Sequence, residues 1–344
     1  MKLYDIVTIG DCFEDIFIFP EEGKIIDDRV FLAGKGLCFG YGDKVPIENI
    51  IYQVGGCAAN TAVNFSKLNL SVGIISAVGK DSQGEKTIHY LENFGVDTKM
   101  VKQKKESNSN ISVILSFKGD RTIFTYHGVN ELSDYVPTKS LNTKWIYLGP
   151  LAEKSEIVEN RIIEIIAKKG SGLIWNPGSR QISRPVKDLV PLLKLCNILF
   201  VNREEAYQLS DMSKKSTIED VMKYVHSLGT KIIIVTNGAK GAKGYDGQRF
   251  YNIASSGDKR VEATGAGDAF ASTFAANIIK NSLDDKNQGF VLDRDLIEKS
   301  LKYGVIVSGS VVGSVGAQTG LLSFSEILEK DKKLVKIEAS IYTK

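Results

Sequence analysis

Six short, nearly all-apolar runs recur along this chain, each closing on Gly, Pro or Asn. They are "YDIVTIG" (4–10), "SVGIISAVG" (71–79), "KWIYLGP" (144–150), "GLIWNPG" (172–178), "CNILFVN" (196–202) and "KIIIVTNG" (231–238). Runs this short and this uniformly apolar read as strands buried on both faces. Between them lie segments with helical periodicity at 57–70, 82–95, 153–170, 202–210 and 216–229, and again after 268 and after 294. Such alternation predicts a parallel sheet covered by helices on both sides. Ligands in such folds gather where strands end and helices begin.

Two stretches interrupt that rhythm. Residues 12–53 hold short, Gly-bounded runs without helical spacing, and 110–127 read as a hairpin turning at Lys118, Gly119 and Asp120. Both predict a small β-structured lid able to close over a substrate, or to meet a second copy through an exposed sheet edge. Residues 303–325 carry no charge, but five glycines and five serines dilute their hydrophobicity, so a packed helix and loop is expected there, not a membrane span. The Lys-rich end after 329 reads as loosely attached.

With 344 residues the chain suits one large core with an appendage. Forty-four basic against 41 acidic residues leave a net charge of +3, too little to imply nucleic acid or an anionic membrane as partner. Cys12, Cys38, Cys57 and Cys196 show no metal-ligand spacing and read as reduced thiols of a cytoplasmic protein.

Glycine-rich phosphate loops come next. No G-x-x-x-x-G-K-[ST] is present, the nearest approach being "GIISAVGKD" from Gly73 to Asp81, and no G-x-G-x-x-G follows the first strand. What remains is "VEATGAGDAFAST" (261–273), where Gly265, Ala266 and Gly267 lead into Asp268 and a helix-forming run. A helix start with side chains this small lets backbone N–H groups and the helix dipole grip an anion. An acid at that mouth would repel a phosphate, so a pure binding loop would avoid it. It makes sense as a general base that deprotonates a hydroxyl attacking phosphorus. The competing reading is an Asp that merely caps its helix.

"TGAGDAF", together with "VGGCAANTAVNFSKLNLSVGIISAVGKDSQGE" (54–85), resembles the two signatures of the ribokinase-like (PfkB) carbohydrate kinase family. "IGDCFED" (9–15), "NREEA" (202–206), "TNGAKGAKG" (236–244) and "GAQTG" (316–320) extend the likeness across both halves of the chain. The resemblance implies one kinase domain over 1–344, a three-layer α/β/α core with a mostly parallel sheet, and a small β-sheet lid from about 12–53 and 107–130. It implies Asp268 as base and Gly265, Ala266 and Gly267 as the hole for the transferred phosphoryl group. Asp15, Gly55, Gly56 and Asn60 would face the substrate. Asn202 and Glu205 would organise Mg2+ and phosphates, partly through water. Thr236, Gly238 and Gly241 would border ATP, with Val307–Gly316 as the opposite wall of the adenine slot.

Two departures stand out. Glu262 replaces the shorter acid beside which many members bind a monovalent cation, which leaves K+ activation open. Phe13 stands where sugar kinases often carry a polar residue. The expected function is ATP-dependent phosphorylation of a small sugar hydroxyl. The alternatives are a nucleoside kinase of the same family and a catalytically silent sugar- or nucleotide-binding regulator. Arg121, in the expected hairpin, could reach a substrate oxygen or simply face solvent.

Overall fold

The apolar runs become the centre of a ten-stranded sheet. In a computed structural model describing residues 2–31, 34–129, 132, 136–137, 140–152, 154–282, 293–333 and 340–343, the strand Tyr4–Ile9 lies between Thr143–Leu148 and Val72–Gly79. Beyond Thr143–Leu148 follow Gly172–Trp175, Cys196–Asn202 and Ile232–Thr236, all parallel; beyond Val72–Gly79 comes Val101–Lys104. These strands read as unbroken apolar runs because helices cover both faces. Ala242–Tyr245, Phe250–Ile253 and Ser340–Tyr342 then add an antiparallel edge. The last of these corrects the expectation of a loose tail, because Tyr342 stacks on Phe250 with ring centroids 5.5 Å apart.

One face of the sheet is covered by helices Cys57–Lys67, Ser82–Asn93, Ala266–Ser282 and Arg294–Val312. The other carries Ser155–Lys169, Val186–Leu193, Arg203–Ser210 and Ile218–Ser227. The charge-free segment supplies the end of helix Arg294–Val312 and the loop after it. Among the described residues no helix is long and apolar enough to cross a membrane.

The lid is a separate four-stranded sheet in the order Ile47–Gly55, Phe13–Pro20, Ile111–Phe117, Asp120–Tyr126, with a ribbon of Lys24–Asp27 and Lys35–Cys38 beside it. Residues 32, 33 and 130 of the expected lid segments lie outside the described residues. The hairpin turns on Lys118 and Gly119 at φ 51° and 84°, the paired left-handed conformations of a tight two-residue turn. One buried side chain ties the core helices that matter most: Asn64 Nδ2 donates to Ser272 Oγ at 2.7 Å and Thr273 Oγ1 at 2.9 Å. The helices Cys57–Lys67 and Ala266–Ser282 are thereby fixed side by side.

Candidate active site

Asp268 sits in the first turn of helix Ala266–Ser282. Burial pushes its pKa up, while hydrogen bonds from Asn60 and the Cys57 thiol oppose that shift. Asn60, one turn into the neighbouring helix, donates from Nδ2 to Asp268 Oδ2 at 2.8 Å. The amide expected to face the substrate is therefore engaged with the expected base. Gly265 enters the helix at φ 75°, a left-handed conformation suited to glycine, and a Cβ there would collide with Ala317. Gly267 differs, because a Cβ on it would meet no atom within 4 Å. Among the described residues, no acceptor faces the N–H groups of Gly267 and Asp268. The helix start thus offers orphan donors beside open space, the condition for holding an anion.

Asp15 arrives from the lid. Strand Phe13–Pro20 pairs with Ile47–Gly55 so that Phe13 opposes Gly55 and Asp15 opposes Gln53. Asp15 is buried, and burial raises its pKa to about 6; the Ser112 hydroxyl works against this, and the charges of Asp268 and Glu262 add to it. Those two contributions put Asp268 and Glu262 each within electrostatic reach of Asp15. A Cβ on Gly55 would strike the Asp15 carboxylate, and one on Gly56 would come within 2.5 Å of the Asp11 carbonyl oxygen. The glycine pair lets backbone and acid share one floor. Asp11 was passed over in the sequence, yet burial raises its pKa to about 7 against the opposing charge of Arg180. Its signal was present, in the first acid of "IGDCFED".

Glu262 is 4% exposed, and both its oxygens are in use. Oε2 accepts from the Thr264 N–H at 2.8 Å, and Oε1 accepts from Thr264 Oγ1 at 2.7 Å while lying 3.4 Å from Arg121 Nε. Arg121 is therefore turned from the hairpin toward Glu262, with a quarter of its side chain exposed. A resident monovalent cation fits poorly at Glu262, because a guanidinium already balances its charge.

Elsewhere on the sheet, Asn202 closes strand Cys196–Asn202, and its register partner on the next strand is Thr236. Asn202 Oδ1 accepts from the Glu205 N–H at 2.8 Å, and Glu205 Oε2 accepts from the Asn202 N–H at 2.7 Å. This reciprocal pair is a capping box, the structural reading of N-x-x-E. Burial raises the Glu205 pKa. Its Oε1 takes no part in the box, so this carboxylate can still face a hydrated Mg2+. Gly238 and Gly241 shape a tight turn into an antiparallel strand, where the Asn237 N–H donates to the Gly241 carbonyl at 2.8 Å. A Cβ on Gly241 would collide with the Ile253 carbonyl, whereas one on Gly238 would meet nothing within 4 Å.

The pfkB family carbohydrate kinase model matches residues 24–323. The chain belongs to the pfkB family. It is a carbohydrate kinase, of the class that transfers phosphoryl from ATP to sugars. It is 26% identical over 332 residues to an ATP-dependent 6-phosphofructokinase of Thermoanaerobacterium thermosaccharolyticum, covering 92% of this chain and 90% of the relative. It is 27% identical over 304 residues to a 5-dehydro-2-deoxygluconokinase of Clostridium botulinum, covering 81% and 85%. A ribokinase-like protein from Escherichia coli, solved with ATP and Mg2+, superposes with a TM-score of 0.75 at 20% identity, over 96% of this chain and 99% of that one. The ribokinase-like α/β fold with its small separate sheet is thus shared, and kinases of this family use ATP with Mg2+.

Proposed function

We propose that this pfkB kinase works as one domain that phosphorylates the primary alcohol of a small sugar, with Asp268 as general base. The observation that carries the reading is the pairing of a desolvated carboxylate, held by Asn60, with orphan N–H groups beside open space at Gly267. Asp15, against Gly55 and Gly56, would orient the acceptor hydroxyls. Asp268 would take the proton as the hydroxyl oxygen attacks, and the Gly265–Gly267 backbone would stabilise the charge developing on the transferred group. Asn202 and Glu205 would hold hydrated Mg2+ on the donor side, with Thr236, Gly238, Gly241 and Val307–Gly316 around the nucleotide. The ion's contribution there would be to neutralise phosphate charge. For the monovalent cation, we infer that the Arg121 guanidinium takes its electrostatic place at Glu262.

Asp268→Ala is expected to lower kcat by at least ~100-fold while nucleotide binding survives; unchanged turnover would remove the base assignment. Phosphorylation measured against ribose, fructose, fructose 6-phosphate, a ketodeoxy sugar acid and adenosine names the acceptor class. A nucleoside is the second reading, favoured by the edge-to-face pair of Phe13 and His127 at 5.2 Å, an aromatic wall suited to a base. Ligand binding without turnover of any acceptor would favour a regulator.

We further propose that two copies meet through the lid. Ile50, Tyr52, Ile123, Phe124 and Tyr126 are exposed on its strands, more apolar surface than an isolated sheet usually leaves to water. The four cysteines are free thiols, in keeping with a reducing cytoplasm.

A further inference from the structure

Hydrogen-bond polarity runs in one direction from the loop after helix Arg294–Val312 to the expected base. Gln318 Nε2 donates to the Val54 carbonyl at 2.8 Å and to Asn60 Oδ1 at 2.9 Å. Its own Oε1 accepts from the Tyr90 hydroxyl at 2.9 Å. A backbone carbonyl can only accept, so Val54 dictates which end of the Gln318 amide points inward. That end carries hydrogens, so it must meet the oxygen of Asn60 and not its nitrogen. With its oxygen taken, Asn60 has only the NH2 group to present to Asp268 Oδ2. Gln318 is 8% exposed and Asn60 is 5% exposed, so most of each amide is covered by protein, although Gln318 shares with Tyr90 the wall of a cavity.

We propose that Gln318 and Tyr90 are positioning residues for the phosphotransfer base, acting through Asn60. They hold the Asn60 amide in the flip that donates to Asp268, fixing Oδ2 and leaving Oδ1 for the acceptor hydroxyl. Neither residue touches the substrate in this scheme. The opposite flip would set the Asn60 oxygen against the carboxylate, repelling it from its place at the helix start. The inference rests on Asp268 being the base. Tyr90 lines a cavity of about 710 Å3 that also borders Glu14, Lys67 and Lys86, so removing its hydroxyl needs no repacking.

The test is steady-state kinetics of Gln318→Leu, Gln318→Glu and Tyr90→Phe across pH, each variant first shown to keep wild-type circular dichroism. Gln318→Leu is expected to lower kcat by roughly 10–100-fold with both KM values within about twofold, as suits a misaligned base. Gln318→Glu carries the sharper signature. When protonated, the introduced acid can still donate one hydrogen; once ionised, it faces the Val54 and Asn60 oxygens with acceptors only and drives the amide to flip. Its kcat relative to wild type is therefore expected to fall as pH rises. Tyr90→Phe, the mildest change, should cost about 2–5-fold in kcat. Equal loss at every pH for the Leu and Glu variants would overturn the proposal, because packing alone would then explain it. So would wild-type kcat in Gln318→Leu, or in Tyr90→Phe if both Gln318 variants misfold. Asp268→Asn separates the two ideas: full turnover there overturns the base reading itself, whereas loss there with unaffected Gln318 variants overturns only the positioning scheme.

Discussion

Arg121 Nε lies 3.4 Å from Glu262 Oε1, so a lid strand is joined by charge to the loop that leads into the Gly265–Asp268 turn. Glu262 is buried and Arg121 a quarter exposed, so the pair is screened on one side only. Wild-type turnover is expected to be the same in K+, Na+ or tetramethylammonium within about twofold. Arg121→Ala leaves the carboxylate unmatched, and a shift of ~1.4 kcal/mol at the turn is a tenfold loss of rate. Titrating K+ into that variant should restore part of the loss. Strong K+ activation of the wild type would contradict the assignment.

A second expectation concerns Gly267, whose missing side chain borders empty space. Gly267→Ala should leave thermal stability unchanged or raise it by up to ~1 kcal/mol, since Ala is the better helix former. Phosphoryl transfer should nevertheless drop by at least ~100-fold, because the methyl group would occupy the proposed phosphoryl position. Scanning calorimetry and kcat on the same preparation read both halves. A variant that is stable and fully active would show that the space is idle.

Gly55→Ala should behave differently. The added methyl would strike the Asp15 carboxylate, and crowding of this kind costs about 1–3 kcal/mol. Acceptor KM is expected to rise at least ~10-fold, while KM for ATP stays within about twofold, because only the acceptor floor is displaced. Equal changes in both constants would argue against the assignment of Asp15 to the acceptor.

The Asp15 pKa gives a pH dependence with a definite sign. Folding raises it from 3.8 to about 6, so the native state retains a proton that the unfolded chain has already released in that interval. Stability from this group therefore falls as pH rises from about 4 to 6, by a total of about 3 kcal/mol, and stays low above that. Asp15→Asn should accordingly gain more melting temperature over wild type at pH 8 than at pH 4. Acceptor kcat/KM should rise through about pH 6 in the wild type, as the ionised acid becomes able to accept hydroxyl protons. A flat profile through that region would remove Asp15 from the acceptor site.

The hydrogen bonds of Asn64 to Ser272 and Thr273 predict a purely structural variant. Asn64→Ala strips a fully buried amide and removes the donor to two buried hydroxyls, of which Ser272 Oγ keeps its own bond to the Asp268 carbonyl, a loss of about 1–3 kcal/mol. Chemical denaturation checks this; an unchanged midpoint would mean water replaces the amide.

Local physics made much of the architecture readable. Buried parallel strands must be apolar throughout, so the runs from "YDIVTIG" to "KIIIVTNG" marked the sheet, and Lys118–Gly119 marked the hairpin because two left-handed residues are needed there. Positions that depend on one another over long separations were hidden. Gln318 and Asn60 stand 258 residues apart, and no spacing rule joins them, although "GAQTG" carries part of the family resemblance. Arg121 could not be matched with Glu262 without knowing that the lid reaches back over the core. The short tail strand Ser340–Tyr342 gave too few residues for a pattern, and its place comes from the edge it completes. Asn202 and Glu205 stood out through the family resemblance, and the structure adds that the same N-x-x-E spacing closes a capping box.

The side-chain clamp at Asn64 has a practical corollary. It ties the Cys57 and Ala266 helices together, which helps Gly56 and Gly267 at their starts keep their spacing when the loops around them are rebuilt. Efforts to redirect this kinase toward a new alcohol can then start from the lid strands Phe13–Pro20 and Asp120–Tyr126, provided that Asp15 and Arg121 are kept.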